Sequence, residues 1–413
     1  MRYYRFLSCL VAAVLTACSH NKVQSSVCPV SDSNEYATID IDGAEKLEKF
    51  LCSSFFAPPR TVILESNERC VIKNIHSIDI CDKKIYILDD LSNKLYVFRL
   101  DGSFLYTIGN RGNGRGEYTE VSDFCIDKKS GSVYLLDPIR NAVLKYNIHN
   151  RKFIASINID NGSYDSYSLL CFNNKLYVNR TSVELDDENY LISEIDEKSG
   201  REVGRYLKAA EYNHKWNLPL RMQNGTFFSK NSNSPMFAEL FTDTIIAFTA
   251  KGLEPRYVIK GQNFAKDKEV ENLINRCVMN KRYNLMELGN DIICMPRQFL
   301  DLGDYLSFEM MAGGNVFYVL YNKHTKKVQV SDLFTNDYLS SQAYIASNLI
   351  YSDENSAISI LESDYIPYFE KGIVSNGLLN RNIDRYYDLT RLEETSNPVL
   401  FYYELKKSKP ENK

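Results

Sequence analysis

The chain has 413 residues, a formal net charge of −4 and an isoelectric point near 5.9. That length exceeds what one hydrophobic core organises, so either several domains or one repetitive architecture is expected. The near-balanced, slightly acidic charge excludes nucleic acid as a partner, and 44% apolar with 12% aromatic residues excludes a mostly disordered chain.

In chain order, Arg2 and Arg5 precede an apolar run from Phe6 to Val14. This is the charge and length pattern of an export signal, and the run is too short to span a bilayer. It ends in Leu15-Thr16-Ala17-Cys18, which resembles the lipobox of bacterial lipoproteins. The resemblance implies a signal peptide over 1–17, cleavage before Cys18 and acylation of its thiol. Several acyl chains on one residue hold a protein stably at a membrane where a single chain does not. The small polar residues that follow predict a flexible tether over 18–36. Ser19 and the absence of an acidic run after Cys18 lead to the expectation of an outer-membrane anchor facing the periplasm.

From residue 37 the chain repeats itself. The stretch 78–109 aligns with 124–157 so that Tyr86 falls on Tyr134, Asp89 on Asp137, Asn93 on Asn141 and Phe98 on Tyr146, all 48 residues apart. Weaker copies follow at 169–207, 225–259 and 305–334. Each copy alternates apolar and polar side chains in short runs, punctuated by Asp-Gly, Ser-Gly or Asn-Asn turns, as antiparallel hairpins require. Four strands per unit at this period are the signature of a β-propeller blade. The many tyrosines then belong mainly between blades, with glycan stacking as a narrower role for some. Helical spacing appears in 263–286 and in parts of 366–392, so short helices are expected on one rim.

Residues 109–118, GNRGNGRGEY, raise the possibility of a phosphate cradle. Gly112, Gly114 and Gly116 are spaced every second residue, however, and a strand pattern rather than a helix follows. The segment reads instead as the corner between two blades, its glycines supplying positive φ. Glu117 is expected to accept from amides left open by the crossing, and Tyr118 to pack on the next blade. Asp89 and Asp137 recur at one blade position; the repetition points to turn capping rather than to a ring of calcium ligands. Eight cysteines remain beyond Cys9 and Cys18, without CxxC spacing or histidine neighbours, and those at 81, 125 and 171 sit in strand patterns as free buried thiols.

The stretch 63–127 is similar to the opening blades of the six-bladed β-propeller lipoproteins of Bacteroidetes, relatives of NHL-repeat propellers. Gly112 to Tyr118 matches that family's GxGPGEY-like corner, with Arg115 where proline is usual, and 394–406 matches its closing strand. The resemblance implies an all-β, six-bladed propeller over 37–406 with short helical insertions, ahead of a polar tail at 407–413. A propeller must also seal its ring, so 60–66 and 399–406 are expected to meet in one blade.

No histidine lies in a HExxH or beside a GxSxG serine, and His214 next to Trp216 is the candidate for a rim-binding role. No catalytic residue, metal ligand or cofactor is assigned. The expected function is that of a monomeric, non-catalytic scaffold or binding module, held at a membrane by lipid and offering one rim to a peptide, a glycan or another envelope protein. The alternative, by fold analogy with NHL-type propellers, is a lyase or hydrolase with a metal near the central channel.

Overall fold

A computed structural model describes residues 26–27, 36–159, 164–182, 190–208, 225–239, 242–262, 272, 293–312, 315–340 and 348–406. They form a six-bladed β-propeller. The first blade comprises Ser77–Cys81, Lys84–Asp89, Lys94–Arg99 and Phe104–Ile108, each antiparallel to the last, from the axis outward. The second repeats it with Asp123–Asp127, Ser132–Asp137, Ala142–Asn147 and Phe153–Asn158. Blades three, four and five begin at Leu169, Thr226 and Ile293. Local chemistry sets the hairpins. Asp82-Lys83 and Asn173-Asn174 take positive φ at both turn positions, the geometry that matches strand twist in two-residue loops.

Because successive strands alternate in direction, each blade has two ends of different character. One end carries the hairpins between first and second strands and between third and fourth. The other carries the turns between second and third strands and the crossings to the next blade; we call it the crossing face.

Both surfaces of every blade are apolar, and the core is divided into six wedges, one per blade interface. Tyr86, Leu95, Tyr118, Val133 and Leu144 fill the wedge between blades one and two. Cys125, Leu136, Leu169 and Val178 fill the next. Equivalent clusters occupy the remaining four interfaces. Aromatic rings meet within them both edge-on, as Tyr177 does with Phe248 at 4.9 Å, and stacked, as Phe228 does with Phe299 at 4.8 Å.

The ring closes as expected. Blade six takes Leu349–Ser352, Ser356–Leu361 and Val399–Glu404 from the end of the chain and its outermost strand, Arg60–Ile63, from near the beginning. The register runs from Val399 opposite Ile63 to Tyr402 opposite Arg60. Between second and third strands of this blade the chain makes the expected short helices, at Ser363–Tyr365, Ile366–Phe369, Glu370–Val374 and Tyr386–Leu389. The helices expected over 263–286 lie outside the described residues except Asn272, as do Cys18, His214, Trp216, the signal 1–17 and the tail 407–413.

Ahead of the closing strand the chain runs round the outside of the ring. Ala37–Asp40 pairs in parallel with Gly252–Lys260 of blade four, and Glu45–Lys46 with Val328–Ser331 of blade five. Phe50–Leu51 pairs in parallel with Phe334–Thr335. Ser26–Val27 is likewise parallel to the outer strand of blade three. These two residues fall within the segment 18–36 expected as a tether; an open outer edge offers unpaired backbone groups, and a passing strand satisfies them.

Candidate binding face

The blade corner lies on the crossing face. Glu117 accepts the Gly114 amide at 2.7 Å, and the Gly112 amide donates to the Tyr118 carbonyl at 2.9 Å. The expectation that all three glycines supply positive φ holds only at Gly116, with φ of 77°. Gly112 and Gly114 are needed for space: a Cβ would stand 2.1 Å and 3.0 Å from Glu117 Oε2. Arg140, from the neighbouring turn of blade two, donates to the carbonyls of Gly112 and Glu117 and to Thr119 Oγ1. Tyr118 is fully buried between blades one and two, and its hydroxyl donates to the Asn93 carbonyl at 3.1 Å.

Asp89 and Asp137 each tie a crossing to a turn. Asp89 accepts the amides of Lys73 and Ser92 at 2.8 and 2.9 Å; Asp137 accepts those of Thr119 and Arg140 at 2.7 and 3.1 Å. Sequence comparison missed the third member, Asn179, whose side-chain oxygen accepts Tyr167 and Ser168 amides, both at 2.7 Å. The strand registers place Glu239 at the same position in blade four, since Ala238 opposes Thr226 as Val178 opposes Leu169. Glu239 is 4% exposed, and burial pushes its carboxyl up to about 8. Beside the insertion in blade six, Glu362 is raised to about 7 by burial and by Asp364.

The axis is bridged from blade four. Lys230 donates to both oxygens of Asp123, at 2.7 and 2.6 Å, and to the Phe124 carbonyl, while Asn231 donates to Asp79 at 2.5 Å. Asp123 also accepts the Leu169 amide at 2.7 Å. Asp79 and Asp123 are thus satisfied from within, and among the described residues no three His, Cys, Asp or Glu side chains stand together as a metal site. A cavity of about 20 Å³ between blades five and six, beside Ser307, Glu309 and Asn348, has room for a single water.

The outward-facing side chains are sorted by end. Among the described residues, ten large apolar side chains are exposed. Tyr36 lies on the outer belt and Ile154 on an outer strand. The other eight, Val71, Leu91, Ile139, Tyr167, Tyr365, Tyr368, Leu378 and Tyr387, all belong to turns, crossings or the insertion on the crossing face. Leu91 and Ile139 are equivalents, two residues after Asp89 and Asp137. In the insertion, Ile366, Phe369 and Ile373 follow helical spacing into the wedge between blades five and six, which turns Tyr365 and Tyr368 outward, 56% and 68% exposed. The opposite end is built from Asp82-Lys83, Lys128-Lys129, Asn173-Asn174 and 323–327 (KHTKK).

Residues 36–404 match the model of a domain of unknown function, DUF4934. The chain belongs to this family. The DUF4934 chain is also similar to a solved Bacteroides fragilis NCTC 9343 protein described as exported, at 18% identity and a TM-score of 0.68, over 90% of this chain and 100% of that one. A member of the DUF4221 family from Bacteroides vulgatus ATCC 8482 has a TM-score of 0.51 at 8% identity, over 86% of this chain and 98% of that one. At these identities the likeness concerns the fold. No curated protein is similar to the DUF4934 chain at a significant level.

Proposed function

We propose that the protein is an exported, non-catalytic binding module, anchored by lipid on Cys18 in the outer membrane, facing the periplasm and presenting its crossing face to an envelope protein, peptide or glycan. The observation that carries this reading is the segregation of exposed apolar side chains. Water penalises each of them, and a clustered set on one end of an otherwise polar molecule marks a surface that meets something else. The axis supports the same reading, because Lys230 and Asn231 occupy the carboxylates that a channel-centred reaction would need. Export agrees with the charge and apolar pattern of residues 1–17 and with the described export of the Bacteroides fragilis protein of like fold.

The test uses the lipidated chain purified from native membranes with what accompanies it. Replacing Tyr365, Tyr368 and Tyr387 together by serine is expected to release the partner, whereas Ile154→Ser on the outer strand retains it. Equal retention by both variants, each with an unchanged melting transition, would remove the crossing face from the proposal.

A further inference from the structure

We infer that Cys125 and Cys171 form a disulfide that staples blade two to blade three when the protein meets a disulfide oxidant. The inference rests on the export reading, because such oxidants act outside the reducing cytoplasm. The strands themselves bring the thiols together. Asp123 opposes Leu136 and Leu169 opposes Val178 at the same end of their first hairpins, so Cys125 and Cys171 stand level, two residues further along adjacent innermost strands. The Leu169 amide bonded to Asp123 fixes the two strands at that level. Both thiols face the same wedge, among Leu136, Val143 and Leu169, and the nearness of Cys171 adds to the burial that raises the Cys125 thiol.

Their exposures differ in a useful way. Cys125 is 1% exposed, whereas Cys171, unlike Cys52, Cys70, Cys81 and Cys125, is only partly buried. Burial holds the Cys125 thiol protonated, so the reaction starts at Cys171. Its thiolate attacks one sulfur of the oxidant's disulfide, forming a mixed disulfide and expelling one oxidant thiol. Cys125 then loses its proton and displaces the second oxidant thiol, closing the inter-blade bond. Two protons and two electrons pass to the oxidant, which leaves as a dithiol or as two thiols.

Glutathione disulfide serves as the probe on the purified full chain, followed by alkylation under denaturing conditions and trypsin. The expected product is a cross-link between peptides 116–128 (GEYTEVSDFCIDK) and 153–175 (FIASINIDNGSYDSYSLLCFNNK). It should come with a melting temperature higher by on the order of 5 °C than in reducing buffer. Cys125→Ser should trap glutathione on Cys171, and Cys171→Ala should leave Cys125 alkylatable. Oxidation of the native protein that yields a glutathione adduct on Cys171 without the cross-linked pair would overturn the inference, as would a cross-link from either cysteine to a third. Because the readout is covalent, it stands or falls apart from any partner of the crossing face, and absence of export in a fractionation would remove the export reading without altering the peptide result.

Discussion

Single residues at the corner are held for different reasons, and their substitutions should rank accordingly. An alanine Cβ at Gly112 meets the tip of Glu117, a flexible side chain that can swing away at the cost of its bond to the Gly114 amide, about 1–2 kcal/mol. At Gly116 the Cβ would lie 2.6 Å from Cγ of the Phe153 ring, and φ is 77°. Left-handed strain and a clash with a packed ring together cost about 2–4 kcal/mol. Urea unfolding should therefore order the variants with Gly116→Ala well below Gly112→Ala. Glu239 makes a pH prediction. Its folded carboxyl titrates at about 8 against an ordinary 4.5, so the folded state holds the proton more tightly. The stability this proton confers is complete below 4.5 and is lost as pH rises through about 8. In Glu239→Gln, unfolding free energy measured across that window should fall less with rising pH than in the native chain. The corner was readable as a corner from its glycine spacing. The separate reason for Gly112 was not, because it depends on where the Glu117 carboxylate comes to rest.

Among the elements, the first two blades were the most legible, since their turns repeat the same residues at a constant offset. Asn179 and Glu239 occupy the same position with different side chains, so residue identity could not reveal them; strand register does. The axis bridge was illegible for another reason. Lys230 and Asp123 are 107 residues apart and Asn231 and Asp79 are 152 apart, and no local pattern spans such distances. The bridge should carry measurable stability. Asp123 has its side chain 8% exposed and that of Lys230 is 21% exposed, so Lys230→Met leaves a largely buried carboxylate short of its cation. A loss of about 2–4 kcal/mol is expected, and a double-mutant cycle with Asp123→Asn should recover part of it.

At the scale of the whole molecule, the closing strand was legible because a propeller requires one and the apolar run at its end supplies it. The belt over 37–51 was not: its parallel pairings are two to four residues long, too short for a hydrophobic period to show. Closure makes blade six depend on residues more than three hundred positions apart. A chain ending before Val399 leaves the second strand of that blade paired on one side only, strips Arg60–Ile63 of its partner strand, and removes Phe401 and Tyr403, both fully buried. Such a truncation should unfold without a single cooperative transition in calorimetry, whereas Phe401→Ala alone keeps the transition and loses about 3–5 kcal/mol.

The belt also decides how the ring responds to tension. Ala37–Asp40 runs alongside its partner in the same direction, so a load drawn along that strand from its amino side acts on its backbone hydrogen bonds together, in shear, instead of unzipping them singly. The pairing of Arg60 to Ile63 that seals the circle sits further along the chain and is shielded from that pull until the belt itself gives way.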